Sequence, residues 1–171
     1  MGALLVAVAL VAAAGEAGAT TATYRSTHSL AQSAESIFRG FVLDRSSHWQ
    51  DGWIVTDVLV AVDECWAGEC SEATAVLREL GGEADGIGML SPEPSALPIG
   101  EEVVVFARAR GRVLQAVGGA QGVFRVDPSS DSATRSLASV AALPPMPEVR
   151  LPIPALRREV SRALTQVEEG R

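Results

Sequence analysis

Glu102-Val103-Val104-Val105-Phe106-Ala107-Arg108 is the stretch that decides the fold. Its apolar run is β-branched and aromatic, too short for a buried helix, and bounded by Gly100 and Gly111, so it reads as a strand. Alternation then places Val104 and Phe106 on one face and Val103 and Val105 on the other. Upstream, Ile37 to Leu43 reads as a first strand and Trp53 to Val62 as a second, with Ile54, Thr56, Val58, Val60 and Val62 alternating to one side. Asp51-Gly52 joins them, and that dipeptide favours the hairpin turn whose two central residues both need positive φ. A third strand is expected at Thr74 to Leu80, closed by Gly81-Gly82, with a long Gly/Pro/Ser loop from Glu83 to Gly100. Downstream, Gly111 turns the chain into Val113 to Val117. After Gly118-Gly119 a last strand runs from Gly122 to Val126 and stops at Asp127-Pro128.

Strands this short, joined by glycine turns, predict a mainly β fold: a small antiparallel barrel of five or six strands, because closing the sheet removes exposed edges. Short helices flank it. Ser29 with Gln32 three residues on fits a capping box leading into Leu30, Ala31 and Ala34. At the other end, Leu156, Val160, Leu164 and Val167 form one stripe, with Arg157, Arg158, Arg162 and Glu159 facing outward. That amphipathic helix, assigned to 155–171, is expected to dock on the domain's own sheet; the rival reading is a helix that binds a partner. Between barrel and helix, residues 129–154 are rich in Ser, Ala and Pro and read as a mobile or extended linker.

Ala3 to Ala14 is apolar throughout and gives way to Gly15, Glu16 and the small triplet Ala17-Gly18-Ala19. This is a signal-peptide profile, although no Arg or Lys precedes the apolar run. A dozen residues fall well short of the roughly 20 that span a bilayer as a helix, so no stable membrane insertion is expected after cleavage. The organisation predicted is therefore a signal peptide at 1–19, a barrel domain at 20–128, the linker and the helix. The competing reading of the apolar run is a buried helix of a cytosolic domain. Export predicts a secreted or periplasmic protein.

The formal net charge is -7, and all 14 basic residues are arginine. An acidic chain offers no face to neutralise phosphates, so no nucleic-acid partner is expected. The lack of lysine and asparagine points to a high-GC bacterial genome, and without Asn there is no glycosylation sequon.

Ser33-Ala-Glu-Ser-Ile-Phe-Arg-Gly40, Trp53-Ile-Val-Thr-Asp-Val58, Gly81-Gly82, Gly100-Glu-Glu-Val-Val-Val-Phe106 and Ala120-Gln-Gly-Val-Phe124, in that order, resemble a family of uncharacterised secreted bacterial proteins. The resemblance covers about residues 29 to 126. It implies an OB-like barrel similar to netrin-type modules and tissue inhibitors of metalloproteases. Those inhibitors look to depend on a cysteine at the mature N-terminus that chelates the protease zinc. Here the expected first mature residue is Thr20 and no cysteine precedes Cys65, so that mechanism does not carry over.

Cys65 and Cys70 bracket a short turn, and in an exported chain with no third cysteine they read as a disulfide. The Cys-x4-Cys spacing is not that of thioredoxin-like redox centres. A zinc site from Cys65, Cys70, His28 and His48 lacks the paired ligand spacing of structural sites, so no metal and no cofactor are expected. No Gly-x-Ser-x-Gly elbow or His-Glu-x-x-His helix is present. His48, beside Trp49 and Asp51, is the one candidate base for a hydrolase. Gly86-Ile-Gly88 lacks the context of a dinucleotide motif, and Asp127 to Asp131 lacks the glycine and glutamate of a calcium loop.

Two places remain where binding could reside. Trp49 and Trp53 flank the hairpin turn; their register sends the indoles to opposite faces, one buried and one partly exposed. The long loop offers Glu83, Asp85, Met89 and Leu90, since loops of that length are usually functional. The function expected is a non-enzymatic secreted binding or interaction module, its partner unknown and of the extracellular protein class. An inhibitor of an extracellular protease is the alternative, and a secreted hydrolase comes third.

Overall fold

A computed structural model describes residues 23–70, 72–91, 95, 97–135, 137 and 148–169. The expected signal peptide lies outside the described residues. In chain order the elements are α1 (Thr27–Ser33), β1 (Ser36–Gln50), β2 (Trp53–Ala67), β3 (Thr74–Leu80), β4 (Gly82–Ala84), β5 (Ile87–Met89), β6 (Glu102–Arg110), β7 (Val113–Ala116), β8 (Val123–Asp127), β9 (Ser132–Arg135), β10 (Val149–Pro152) and α2 (Ile153–Glu169). The fold is mainly β, as the strand pattern predicts. Eight strands form one sheet in the order β1-β2-β3-β7-β6-β8-β9-β10, and β1 also pairs with β6, so β1, β2, β3, β7 and β6 make a ring of five.

The ring is not wholly antiparallel. β3 and β7 run parallel and meet at a single register pair, Leu77 with Leu114. Going round the ring, every other pairing reverses direction, and an odd number of strands cannot close with reversals alone. The expected all-antiparallel arrangement is corrected in direction, and the sheet runs on from the five ring strands to eight.

Asp51 and Gly52 take φ of 50° and 82°, as the hairpin turn demands, and Gln50 pairs with Trp53 and Trp49 with Ile54. Both strands of this hairpin run further than their apolar cores suggest, because β1 pairs with β2 along one edge and with β6 along the other. Bulges near Arg39/Gly40 and Val42/Asp44 bend it to do so. Gly40 sits at the tightest point: a Cβ there would lie 2.0 Å from the Ala61 carbonyl oxygen.

Side chains inside the ring (Phe38, Val42, Val58, Val60, Leu77, Leu97, Val103, Val105, Ala107, Val123) form one core. A second core lies on the outer face of β1, β6 and β8, where Ile37, Val104, Phe106 and Phe124 meet Leu30 of α1 and Leu156, Val160 and Ala163 of α2. Thus α2 docks on the chain's own sheet. Arg157 of α2 reaches Glu64 at 2.9 Å and stacks over Trp66, fixing the helix to the end of β2. The side chain of Val167 lies outside the described residues.

Three local expectations are corrected. Ser26, not Ser29, caps α1: its hydroxyl accepts the Ser29 N–H, which places Ser29 inside the first turn and starts the helix at Thr27. Residues 129–154 are not a linker throughout. Ser132–Arg135 and Val149–Pro152 pair as β9 and β10, and Pro152 ends its strand at the sheet edge, where the missing N–H costs no ladder bond. The loop from Glu83 to Gly100 contains the hairpin β4–β5, turned by Asp85 and Gly86 with φ of 53° and 75°.

Cys65 and Cys70 form the disulfide, with Cα atoms 5.8 Å apart. Gly68, at φ 74°, packs the enclosed turn on Glu35 and Ser36 so closely that a Cβ would lie 1.9 Å from the Glu35 carbonyl oxygen. Closing so short a loop stabilises the fold by about 2 kcal/mol on the chain-entropy model. Changing both cysteines to serine is therefore expected to lower the Tm by several degrees in thermal unfolding followed by circular dichroism; an unchanged Tm would contradict a stabilising role.

Candidate functional site

The β1–β2 hairpin extends beyond the ring, and β3 ends beside it. Along β2, Trp53, Val55 and Asp57 point away from the ring interior, and their cross-strand neighbours on β3 are Leu80 opposite Val55 and Arg78 opposite Asp57. Trp53 is 57% exposed and Leu80 45%, while Val55 beneath them is buried. The Arg78 guanidinium grips Asp57 with two bonds of 2.6 Å and donates a third to the Gln50 amide oxygen. The bonds to Asp57 raise the Arg78 pKa and pin the polar border of the patch.

Trp49 lies on the other face of the hairpin, opposite Ile54. It too is exposed, at 44%, so the expectation that one indole is buried is corrected. Burial on this face stops at Ile54, which is fully buried, and leaves the neighbouring indole exposed. On this face β4 crosses close over Ser47 and Thr56; a Cβ on Gly82 would lie 2.3 Å from the Thr56 hydroxyl. The Thr56 hydroxyl donates to the Gly81 carbonyl at 2.7 Å and shares a hydrogen bond with Ser47, holding β4–β5 in place.

Three concavities meet at the end of β3, and all are walled by Glu79 and Leu80. One, of about 240 Å³, carries Trp53, Val55 and Arg78. A second, of about 590 Å³, carries Glu83, Met89 and Leu90 with Arg45. The third, of about 350 Å³, runs toward Arg108 and Gln115. Of the residues singled out in the sequence, Trp53, Glu83, Met89 and Leu90 are thus drawn into one region. Trp49 sits across the hairpin from Trp53, and Asp85, at the β4–β5 turn, lines none of the three concavities. Leu80 and Arg78 are the contributors the sequence reading missed. Their signal was the alternation of Thr74 to Leu80, in which Leu77 inward puts Arg78 and Leu80 outward.

Chemically the region offers apolar surface with a fixed charged border rather than a reacting group. No hydrogen bond joins His48 to a serine or a carboxylate among the described residues, and no three His, Cys, Asp or Glu side chains there gather to hold a metal ion. His28 is exposed on α1, and the cysteine sulfurs are bonded to each other. No family model matches the chain, and no curated protein matches it.

Glu79 faces inward between the grooves, and burial raises its pKa above 4.5, partly offset by Arg45 at 3.8 Å. A carboxyl whose folded pKa is raised destabilises the fold once ionised, an effect absent below the unfolded pKa and fully present above the folded one. Glu79→Gln is accordingly expected to raise the Tm at neutral pH and to leave it unchanged below pH 4.5. Equal gains at both pH values, or a loss at neutral pH, would show that burial is not what perturbs Glu79.

Proposed function

We propose that this chain is an exported, non-enzymatic binding module of OB-like architecture, which takes an extracellular protein partner at the Leu80 junction. The ring order β1-β2-β3-β7-β6, with its one parallel pairing between third and fifth strands, supports the OB-like assignment. Fold alone does not carry function. The observation that carries the reading is the grouping of exposed Trp53, Leu80 and Leu90, the last 96% exposed, around three adjoining concavities: Leu80 walls all three, Trp53 one and Leu90 another. Rigid aromatic and aliphatic side chains rimmed by charge are what protein interfaces use as anchors. The disulfide supports an oxidising compartment, consistent with the apolar N-terminus.

The test compares capture from the culture medium of producing cells by the immobilised protein and two variants. Trp53→Ala combined with Leu80→Ser is expected to weaken retention of the partner on the order of tenfold or more, the usual effect of removing an interface anchor. Ile99→Ser, which alters an exposed apolar residue outside these grooves, should leave retention unchanged. Equal retention by all three proteins would overturn the assignment of the site. Hydrolysis of a chromogenic ester or peptide that disappears in His48→Ala would overturn the non-enzymatic reading.

A further inference from the structure

The ring closes along only part of β1. From Ser36 to Phe41 that strand pairs with β6, and a further pair of backbone bonds joins Val42 to Glu101 and Gly100. From Leu43 to Gln50 it pairs with β2 alone, so among the described residues its other edge has no strand beside it. β4 lies over one face there, above Ser47, but forms its own sheet with β5 and does not join β1. The bulge at Val42/Asp44 ends the open stretch on one side and the Asp51-Gly52 turn ends it on the other. Every residue between is exposed except Ser47 and His48, which are half-buried.

An open strand edge presents unpaired N–H and C=O groups that template pairing with another chain. Which groups face out is set by the hairpin. In a two-residue hairpin Gln50 exchanges both backbone bonds with Trp53, so alternation turns the backbone groups of Trp49, Ser47 and Arg45 away from β2. The Arg45 N–H is met there only by the carboxylate of the preceding Asp44, at 2.8 Å. The edge of β10, at the far end of the sheet, offers much less: it is four residues long and ends in Pro152, which has no N–H to donate.

The open stretch is complementary to itself. Two copies joined antiparallel about a two-fold axis normal to the sheet place one residue opposite its own counterpart. With Ser46 at the axis, Asp44 of each copy faces His48 of the other, Arg45 faces Ser47, and exposed Leu43 comes opposite exposed Trp49. With Ser47 at the axis, Arg45 faces Trp49 and Asp44 faces Gln50; with Arg45 there, two like charges meet, which is destabilising. We propose that the protein forms a symmetric dimer by joining two β1 edges in the register that centres on Ser46. The Arg45 N–H then bonds to the Ser47 carbonyl of the other copy, and the Asp44 carboxylate, released from it, accepts from the imidazole of the other copy's His48. The interface uses neither Trp53 nor Leu80 and stands whether or not they bind a partner.

Analytical ultracentrifugation of the purified protein, from micromolar to near-millimolar concentration, is expected to show a reversible monomer–dimer equilibrium. His48→Asp sets two carboxylates opposite each other on both sides of the axis and should weaken the dimer about tenfold or more. Adding Asp44→His to that variant restores an acid–imidazole pair with the positions exchanged, and should return the dimer close to the strength of the parent. Ser46 meets its counterpart at a non-hydrogen-bonded position, where Cα atoms lie about 4.5 Å apart, within the range a disulfide spans. Ser46→Cys should therefore become a covalent dimer on air oxidation, read on a non-reducing gel, whereas Gln50→Cys, on the same strand but away from the axis, should not. A monomer at every concentration would overturn the interface, as would a dimer that His48→Asp leaves intact or that the double variant fails to restore. Should His48→Asp not fold, the cross-link decides: no covalent dimer from Ser46→Cys, or one formed as readily by Gln50→Cys, refutes the proposal.

Discussion

Strand β6 is buried on both faces from Glu102 to Ala107, and the rest of the architecture follows from that requirement. A strand with two apolar faces needs a layer on each side. Val103, Val105 and Ala107 are covered by the ring that closes around them, and Val104 and Phe106 by α1 and α2. Its two edges are used with equal economy. One pairs with β1 from Glu102 to Ala107, while the other pairs with β8 over Val103 to Val105 and with β7 over Ala107 to Arg110. The handover from β7 to β8 is where the sheet leaves the ring and extends to β9 and β10.

The ends of the helix-side core are sealed by arginines. At one end Arg39 bonds to Glu102 and approaches Glu64, which Arg157 of α2 also holds. The hydrogen bond to Glu102 raises the Arg39 pKa, and pairing is what makes a buried Glu102 tolerable. Toward the other end Arg135 is fully buried between the rings of Tyr24 and Phe124. It is bonded to the carbonyl of Arg25 and the Tyr24 hydroxyl rather than to a carboxylate. Burial lowers its pKa, yet a guanidinium remains charged, so ring faces and carbonyl dipoles take the place of a counter-ion. Gln121 grips the same segment, accepting from the Arg25 N–H and donating to the Thr23 carbonyl. The chain just before α1 is thereby stitched to the sheet.

Much of this was legible because period-two alternation and glycine turns are local signals. Val103 to Phe106 divide between the two cores as alternation requires, β3 has the ends read for it, and the Asp51-Gly52 turn fixes the register of the first hairpin. The parallel β3–β7 contact was not legible, because a pairing between distant strands leaves no mark in either one. β9 and β10 were hidden by prolines and serines around them, although Arg135 owes its burial to contacts nearly the length of the domain away. Asp85-Gly86 carried the same turn signal as Asp51-Gly52, but the flanking segments are too short to show alternation. At the candidate site the exposed tryptophans were visible as residues. The convergence of Trp53 with Leu80 was not, since it depends on where β3 stops relative to the hairpin.

Amide hydrogen exchange under native conditions tests the central role of β6 most directly. If ring and helix layers share this strand as a common wall, the amides of Val103 to Ala107 should exchange only through global unfolding, with those of the buried turns of α2 close behind and β4–β5 and β10 far faster. Exchange of the β6 amides as fast as those of β10, or α2 opening at no cost to the protection of β6, would contradict the account.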